Sequence, residues 1–419
     1  MKEKLKSLTA VFYTPILIYF VLFIAISLVA IASATPLALI QYPDQNFVFR
    51  QIIFFSIGII ATFLMMFFEM KLIRFLRWVL YFVFLGLLLI IFALGEIEPC
   101  NSIDLIVPCI NGATRWINFP GFQMQPSEFM RIALILVVAD VIQKHNEKFL
   151  HENRTFKSDF WLIIKALIVI IAPLILIYEQ PDTGITILIL VTTAFMLITA
   201  GIKWTYIIVI GGGAIMIAYA FIALILHSPD TLNTLIEAEI LRPHQINRFN
   251  GWFDPFGTIS GDGRHLALGL TAMGSGGIFG HGFQSHAVFF PEAHTDFIFA
   301  VIGMDFGMIG SAIVITISLL FNFAILNTAI LNRDYYNSHV CVGIFASLMA
   351  QQFWNIGMIL GLLPITGVTL PFISHGGSSI LASMIMLGLV LSSHVEGLTI
   401  KRNTTVFHEN VSFFEEKVI

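Results

Sequence analysis

Residues 160–200 read FWLIIKALIVIIAPLILIYEQPDTGITILILVTTAFMLITA. Two apolar runs, 160–178 and 183–200, stand almost end to end. Each is close to the roughly 20 residues that cross a bilayer as a helix. Only Glu179-Gln180-Pro181-Asp182 separates them, too few residues for an ordinary loop. Pro181 and Gly184 predict a broken turn that dips inward, which is tolerated at membrane depth only against protein or a water-filled cavity. Asp182 in that turn can cap the second helix or point into a cavity, and the two roles are compatible.

The same pattern extends over the whole chain. Of its 419 residues 57% are hydrophobic and 11% charged, against about 25% charged in a soluble domain. Mean hydropathy is +0.88. The apolar runs do not alternate with period two, which argues against a membrane β-barrel. Ala32-Ser33-Ala34 resembles a cleavage site, but the run before it is longer than a signal core and reads as a retained span.

The expectation is an all-α, polytopic membrane protein with ten transmembrane helices. They lie near 14–34, 51–69, 76–95, 125–143, 160–178, 183–200, 204–226, 299–330, 340–360 and 377–396. An even count puts both termini on one side. Fifteen Lys and Arg then fall inside and five outside, so both termini are expected in the cytoplasm. The chain reads as one integral membrane domain over 1–419, with a large extracytoplasmic loop at about 227–298 between spans seven and eight. That loop breaks the helical pattern, and a structureless loop of such length is usually functional. Cys100 and Cys109 share the outer loop 96–124 and are either a disulfide or two free thiols. Cys341 sits in an apolar run.

Charge beside hydrocarbon is costly and marks function. On this topology the charged segment ends converge on the outer face. Pro126 suits the first turn of span four. Glu128 and Arg131 are three apart and can pair on one helix face, as substrate contacts or as bundle glue. Residues 241–255, LRPHQINRFNGWFDP, mix Arg242, His244 and Arg248 with aromatics, which suits anionic head groups or a plain interfacial helix. GLTAMGSGGIFGHG (269–282) permits close backbone approach but matches no nucleotide loop. Asp296, after His294-Thr295, enters an apolar run at once. It reads equally as a partly desolvated base or as a helix cap. LPITGVTLPFISHGGSS (363–379) reads as a re-entrant loop that offers Ser374, Ser378 and Ser379 to a ligand.

The strings GATRW, QPSEFMR, QPDTG, GSGGIFGHG, PEAHTDFIF and LPITGVTLPFISHGGSS, in this order, resemble the SEDS family of shape, elongation, division and sporulation proteins, of RodA/FtsW/SpoVE type. The resemblance covers about 50–396. NIGM (355–358) and PITG (364–367) lean to the RodA branch. Arg131 stands where Lys is commoner and His375 where Tyr is usual. Met304 replaces a family carboxylate.

The resemblance implies a peptidoglycan glycosyltransferase that polymerises lipid II at the outer face of a bacterial cytoplasmic membrane, for cell-wall elongation and cell shape. It also implies a class B penicillin-binding protein as transpeptidase partner, among membrane lipids. Asp296 matches the essential aspartate and becomes the candidate base. Arg115, Glu128, Arg131, Asp182, Arg248, His294, Ser374, Ser378 and Ser379 are the candidate substrate-binding residues. A divalent cation, Mg2+ or Mn2+, is expected at Asp296 and Asp182. No nucleotide and no nucleic acid is expected. A lipid II flippase and a non-catalytic scaffold for a transpeptidase are the alternative readings.

Overall fold

The computed structural model describes residues 15–97, 106–110, 113–119, 122–149, 154–227 and 243–415. Cys100 and Arg242 lie outside them. The described elements are α1 (Pro15–Leu39), α2 (Phe47–Phe67), α3 (Met70–Ile97), strands β1 (Cys109–Ile110), β2 (Ala113–Thr114), β3 (Ile117–Phe119) and β4 (Phe122–Met124), then α4 (Pro126–Lys148), α5 (Phe156–Glu179), α6 (Thr183–Thr199), α7 (Trp204–His227), α8 (Pro243–Phe253), α9 (Arg264–Ser275), α10 (Ile298–Leu331), α11 (Tyr335–Ile359) and α12 (Gly377–Glu415). Helices dominate because a chain in hydrocarbon must pair its own N–H and C=O groups.

Eight of these helices are long and apolar enough to cross a membrane: α1, α2, α3, α5, α7, α10, α11 and α12. The other two expected spans map to α4 and α6. α6 is apolar but has 17 residues. α4 carries Glu128, Arg131 and Asp140, and buries all three. It packs between α3, α5, α6 and α11, so protein takes the place of lipid around it. α11 and α12 complete the buried centre, whereas no residue of the α7 span is buried. α2 and α12 cross closely where Gly58 and Gly388 sit: a Cβ on Gly388 would lie 2.6 Å from Met65 Cβ. Thr62 Oγ1 donates to Met384 O at 2.9 Å in the same crossing.

Several local features sharpen the sequence expectation or differ from it. The loop 96–124 contains two antiparallel pairs, β1–β2 and β3–β4. Cys109 is disulfide-bonded, and Cys341 is free and buried. The segment after α7 is not structureless, since α8 and α9 form inside it. Both are short amphipathic helices: α8 matches the interfacial-helix reading of 241–255, and the glycines around α9 hide its period. α8 is held by buried Ile246 and by Trp252 Nε1, which donates to Gly361 O at 2.8 Å. Leu266, Ala267 and Ala272 form the buried face of α9.

α10 has 34 residues and breaks at Gly307, where φ is 64°, a region only glycine enters freely. The break is satisfied by the glycine-rich stretch after α9. His281 N donates to Met304 O (3.0 Å), Gly282 N to Asp305 O (3.0 Å) and Met308 N to Gly277 O (2.9 Å). Asp305 fastens the assembly by accepting from Ser33 of α1 and from Ser285 Oγ at 2.5 Å.

Candidate active site

Six pieces of chain meet at one end of the bundle: the segment that leads into α2, the β1–β4 region, the start of α4, the turn before α6, the loop before α10 and the loop 363–379 that leads into α12. They enclose a cavity of about 750 Å³. Arg115, Glu128, Asp182, His294, Asp296, Ser378 and Ser379 all line it. Residues separated by up to 264 positions in the chain therefore share one hollow.

Asp182 is the N-cap of α6. Its Oδ1 accepts from Ile185 N at 3.4 Å, and its Oδ2 accepts from Gln125 Nε2 (2.7 Å) and Ser127 Oγ (2.9 Å). Arg115 Nη1 stands 3.8 Å away, with its guanidinium 4.3 Å above the Trp116 ring. The buried carboxylate is thus filled by protein donors, as burial of a charge demands.

Glu128 opens α4 beside the hydroxyls of Ser378 and Ser379, and its Oε2 has no hydrogen-bond partner. The Glu128–Arg131 ion pair expected from their spacing does not form. Arg131, 1% exposed, turns its Nη1 to Gln351 Oε1 at 2.8 Å. Gln351 Nε2 then donates to Thr369 O at 3.0 Å, and Thr369 shares a 2.7 Å hydroxyl bond with Ser379. Arg131 thereby supports the cavity wall from behind and does not line it.

Asp296 is differently placed. The N-cap of α10 is Phe297, with no side-chain cap bond, so Asp296 does not cap that helix. Thr295 Oγ1 lies 3.1 Å from Asp296 Oδ1 and 2.9 Å from Glu292 Oε2, which sets two carboxyls side by side. Burial, reinforced by the Glu292 charge, pushes the Asp296 carboxyl up to about 7, against the lowering pull of Thr295, its own backbone and Arg115. Glu292 has a φ of 55°, and its carbonyl accepts from Thr295 N and Phe297 N, both at 3.2 Å. This tight turn aims Asp296. From α11, Asn355 Nδ2 donates to Asp296 O (2.8 Å) and Val368 O (2.7 Å). One amide thus ties the Asp296 loop to the 363–376 loop.

On the far wall, His375 Nδ1 bonds Gln51 Oε1 at 2.8 Å, and His375 N donates to His294 O at 2.8 Å. Burial pushes the His375 imidazole down to about 3 and lowers that of His294, so both rings are neutral near pH 7. Ser374 does not face the cavity: its Oγ accepts from Leu370 N at 2.8 Å and shapes the loop. Arg248, on α8, is outside the lining too. Its Nη1 donates to Thr183 Oγ1 at 3.2 Å, near the charges of Arg115, Asp182 and Asp296.

Gln51 and Gln351 are site-building residues outside every quoted motif, and Asn355 and Glu292 lie within quoted motifs that gave them no role. Gln351 and Asn355 are four apart in an apolar run, on one helix face, and that spacing was a usable signal. Among the described residues no three His, Cys, Asp or Glu side chains converge to hold a metal ion. Asp182 Oδ2 already accepts two protein hydrogen bonds and its Oδ1 a third, so the Asp182–Asp296 metal pair expected from the sequence fits this donor set poorly.

The FtsW/RodA/SpoVE family model, described as "Cell cycle protein", matches residues 13–397. The chain is 30% identical over 365 residues to "Probable peptidoglycan glycosyltransferase FtsW" of Trichlorobacter lovleyi, covering 86% of this chain and 87% of the relative. It is 32% identical over 297 residues to "Peptidoglycan glycosyltransferase MrdB" of Escherichia coli, covering 70% and 74%. Among solved structures, a chain described under "Structural coordination of polymerization and crosslinking by a peptidoglycan synthase complex" matches with a TM-score of 0.70 at 23% identity, covering 91% of this chain and 97% of that one. The crystal structure of Thermus thermophilus rod shape determining protein RodA matches with a TM-score of 0.61 at 22% identity, covering 91% and 96%. At these identities the structural likeness is one of fold.

Proposed function

Since the chain belongs to the FtsW/RodA/SpoVE family of cell cycle proteins, we propose that it is a peptidoglycan glycosyltransferase that polymerises lipid II at the outer face of the bacterial cytoplasmic membrane, with Asp296 as general base. The observation that carries the base role is the state of Asp296. It lines the cavity, caps no helix, and its carboxyl is raised to about 7. A base works best with a pKa near the operating pH, and such catalysis contributes about 10²–10⁴-fold.

In the proposed step Asp296 takes the proton of the acceptor sugar's 4-hydroxyl. The freed oxygen attacks the anomeric carbon of the lipid-linked donor from the side opposite its pyrophosphate. A new C–O bond forms, the bond from the anomeric carbon to the phosphate oxygen breaks, and the lipid pyrophosphate departs. Arg115, at the cavity wall, and Arg248, close behind, are placed to meet that developing charge. Glu128, Ser378, Ser379 and His294 offer acceptors and donors for the sugars. Arg131 and Ser374 hold the wall in place. The step is written without a metal, in keeping with the donor set.

For topology we propose ten spans, counting α4 and α6 with the eight longer apolar helices, and both termini in the cytoplasm. The excess of basic residues on the other loops supports that orientation. A class B penicillin-binding protein is the proposed partner, and a role in elongation rests on NIGM and PITG.

The test is polymerisation of purified lipid II in reconstituted vesicles by wild type and Asp296→Ala. The variant should insert and melt normally but form no glycan. Near-normal glycan from Asp296→Ala removes it from the base role, and lipid II transport without polymer from wild type decides for a flippase.

A further inference from the structure

A second buried charge cluster lies at the opposite end of α4. Asp140 is twelve residues beyond Glu128, about 18 Å along the helix at 1.5 Å per residue. Its buried carboxylate accepts from Arg74 Nε (2.9 Å), Arg77 Nη2 (2.8 Å) and Lys144 Nζ (2.9 Å). Three cations converge on this one carboxylate. Two further carboxylates stand nearby, each engaged at a helix start. Asp334 accepts from Asn337 N at 3.0 Å, and Glu396 accepts from Met70 N at 2.7 Å and Asn337 Nδ2 at 3.1 Å.

Two buried polar atoms in this cluster also lack a hydrogen-bond partner: Arg77 Nε and the hydroxyl of Tyr336, whose side chain is 1% exposed. The Arg74 guanidinium lies 4.9 Å over the Tyr336 ring. The cluster is open on one side, where the Lys144 side chain is 60% exposed. Beside it, along α3, runs an exposed apolar stripe of Phe75, Val79 and Phe82, spaced to share one helix face.

We propose that this cluster binds the phosphate of an anionic phospholipid, whose acyl chains lie along the α3 stripe. Arg and Lys donors make charge-assisted bonds to phosphate oxygens, and basic pockets between membrane helices recognise such head groups. The adjoining apolar stripe favours a lipid over a free anion. A zwitterionic lipid would bring its own ammonium into a site already rich in cations. The site needs neither the candidate base nor its cavity, so the loss of polymerisation in Asp296→Ala has no bearing on it.

The experiment titrates the full chain, in zwitterionic detergent, with phosphatidylglycerol, phosphatidylcholine or inorganic phosphate, read by native mass spectrometry and thermal melting. Phosphatidylglycerol should be retained and should raise the melting temperature, while the other two should not. Each removed cation should weaken retention about fivefold, so Arg74→Gln with Lys144→Gln should show a loss well above tenfold. Lys157→Gln, exposed on α5, should bind as wild type. If the double variant melts low without lipid, the single Lys144→Gln carries the test. Equal retention of phosphatidylcholine, equal stabilisation by inorganic phosphate, or wild-type binding by Lys144→Gln would each overturn the proposal.

Discussion

Asp182 and Asp296 stand at the starts of two apolar helices, and from the sequence each could be a helix cap. At α6 the cap forms, and the carboxylate is consumed by Ile185 N, Gln125, Ser127 and Arg115. At α10 the cap position belongs to Phe297 and makes no side-chain bond. Asp296 keeps one hydroxyl neighbour, Thr295, and a second carboxyl, Glu292, nearby. A carboxylate met by protein donors on both oxygens holds shape. An undersupplied one is pushed toward neutrality and can exchange a proton. The difference arises from one residue of register at a helix start, together with the donors that the opposite wall supplies.

The strongest way to break this contrast is Asp296→Asn, which keeps the shape and removes the basic oxygen. Polymerisation should fall about 10²–10⁴-fold with the melting temperature nearly unchanged, as measured by glycan synthesis and thermal melting on the same sample. Asn355→Leu comes next. It leaves the carbonyls of Asp296 and Val368 without their donor, at about 1–3 kcal/mol each, so the melting temperature and kcat should fall together. Unchanged kcat in a folded Asn355→Leu protein would show that Asp296 needs no such tether.

Asp182→Ala should show the reverse of Asp296→Asn. Stability should drop by about 1–3 kcal/mol through the lost cap and donors, and activity should fall less than in Asp296→Asn. The pH profile sharpens the contrast further. Because the base form of Asp296 is required and its carboxyl is raised to about 7, kcat/KM should decline as pH falls through 7, approaching tenfold per unit below it. His375, held near 3, should add no second limb above pH 5.

The apolar runs were legible because hydrocarbon imposes a length and a composition on any helix that crosses it. The cavity lining was legible because charges at segment ends are expensive and repeat a known order of motifs. Burial partners were harder to read. Arg131 looks like a partner for Glu128 by spacing, yet Gln351, 220 positions away, captures it. The break at Gly307 lies in a long apolar run whose one charge, Asp305, sits two residues before it. In the long segment after α7, the interfacial-helix reading of 241–255 finds α8, whereas α9 stays hidden because its amphipathic period lasts only 12 residues.

The meeting of residues 276–282 with 303–309 has a consequence for how such a chain can change. A side chain on Gly307 would strike Gly280 N at 2.5 Å, and each stretch supplies the other's missing backbone bonds. Neither can gain or lose a residue alone without orphaning carbonyls in the bilayer. A chimera that imports one from a relative should therefore import the other with it.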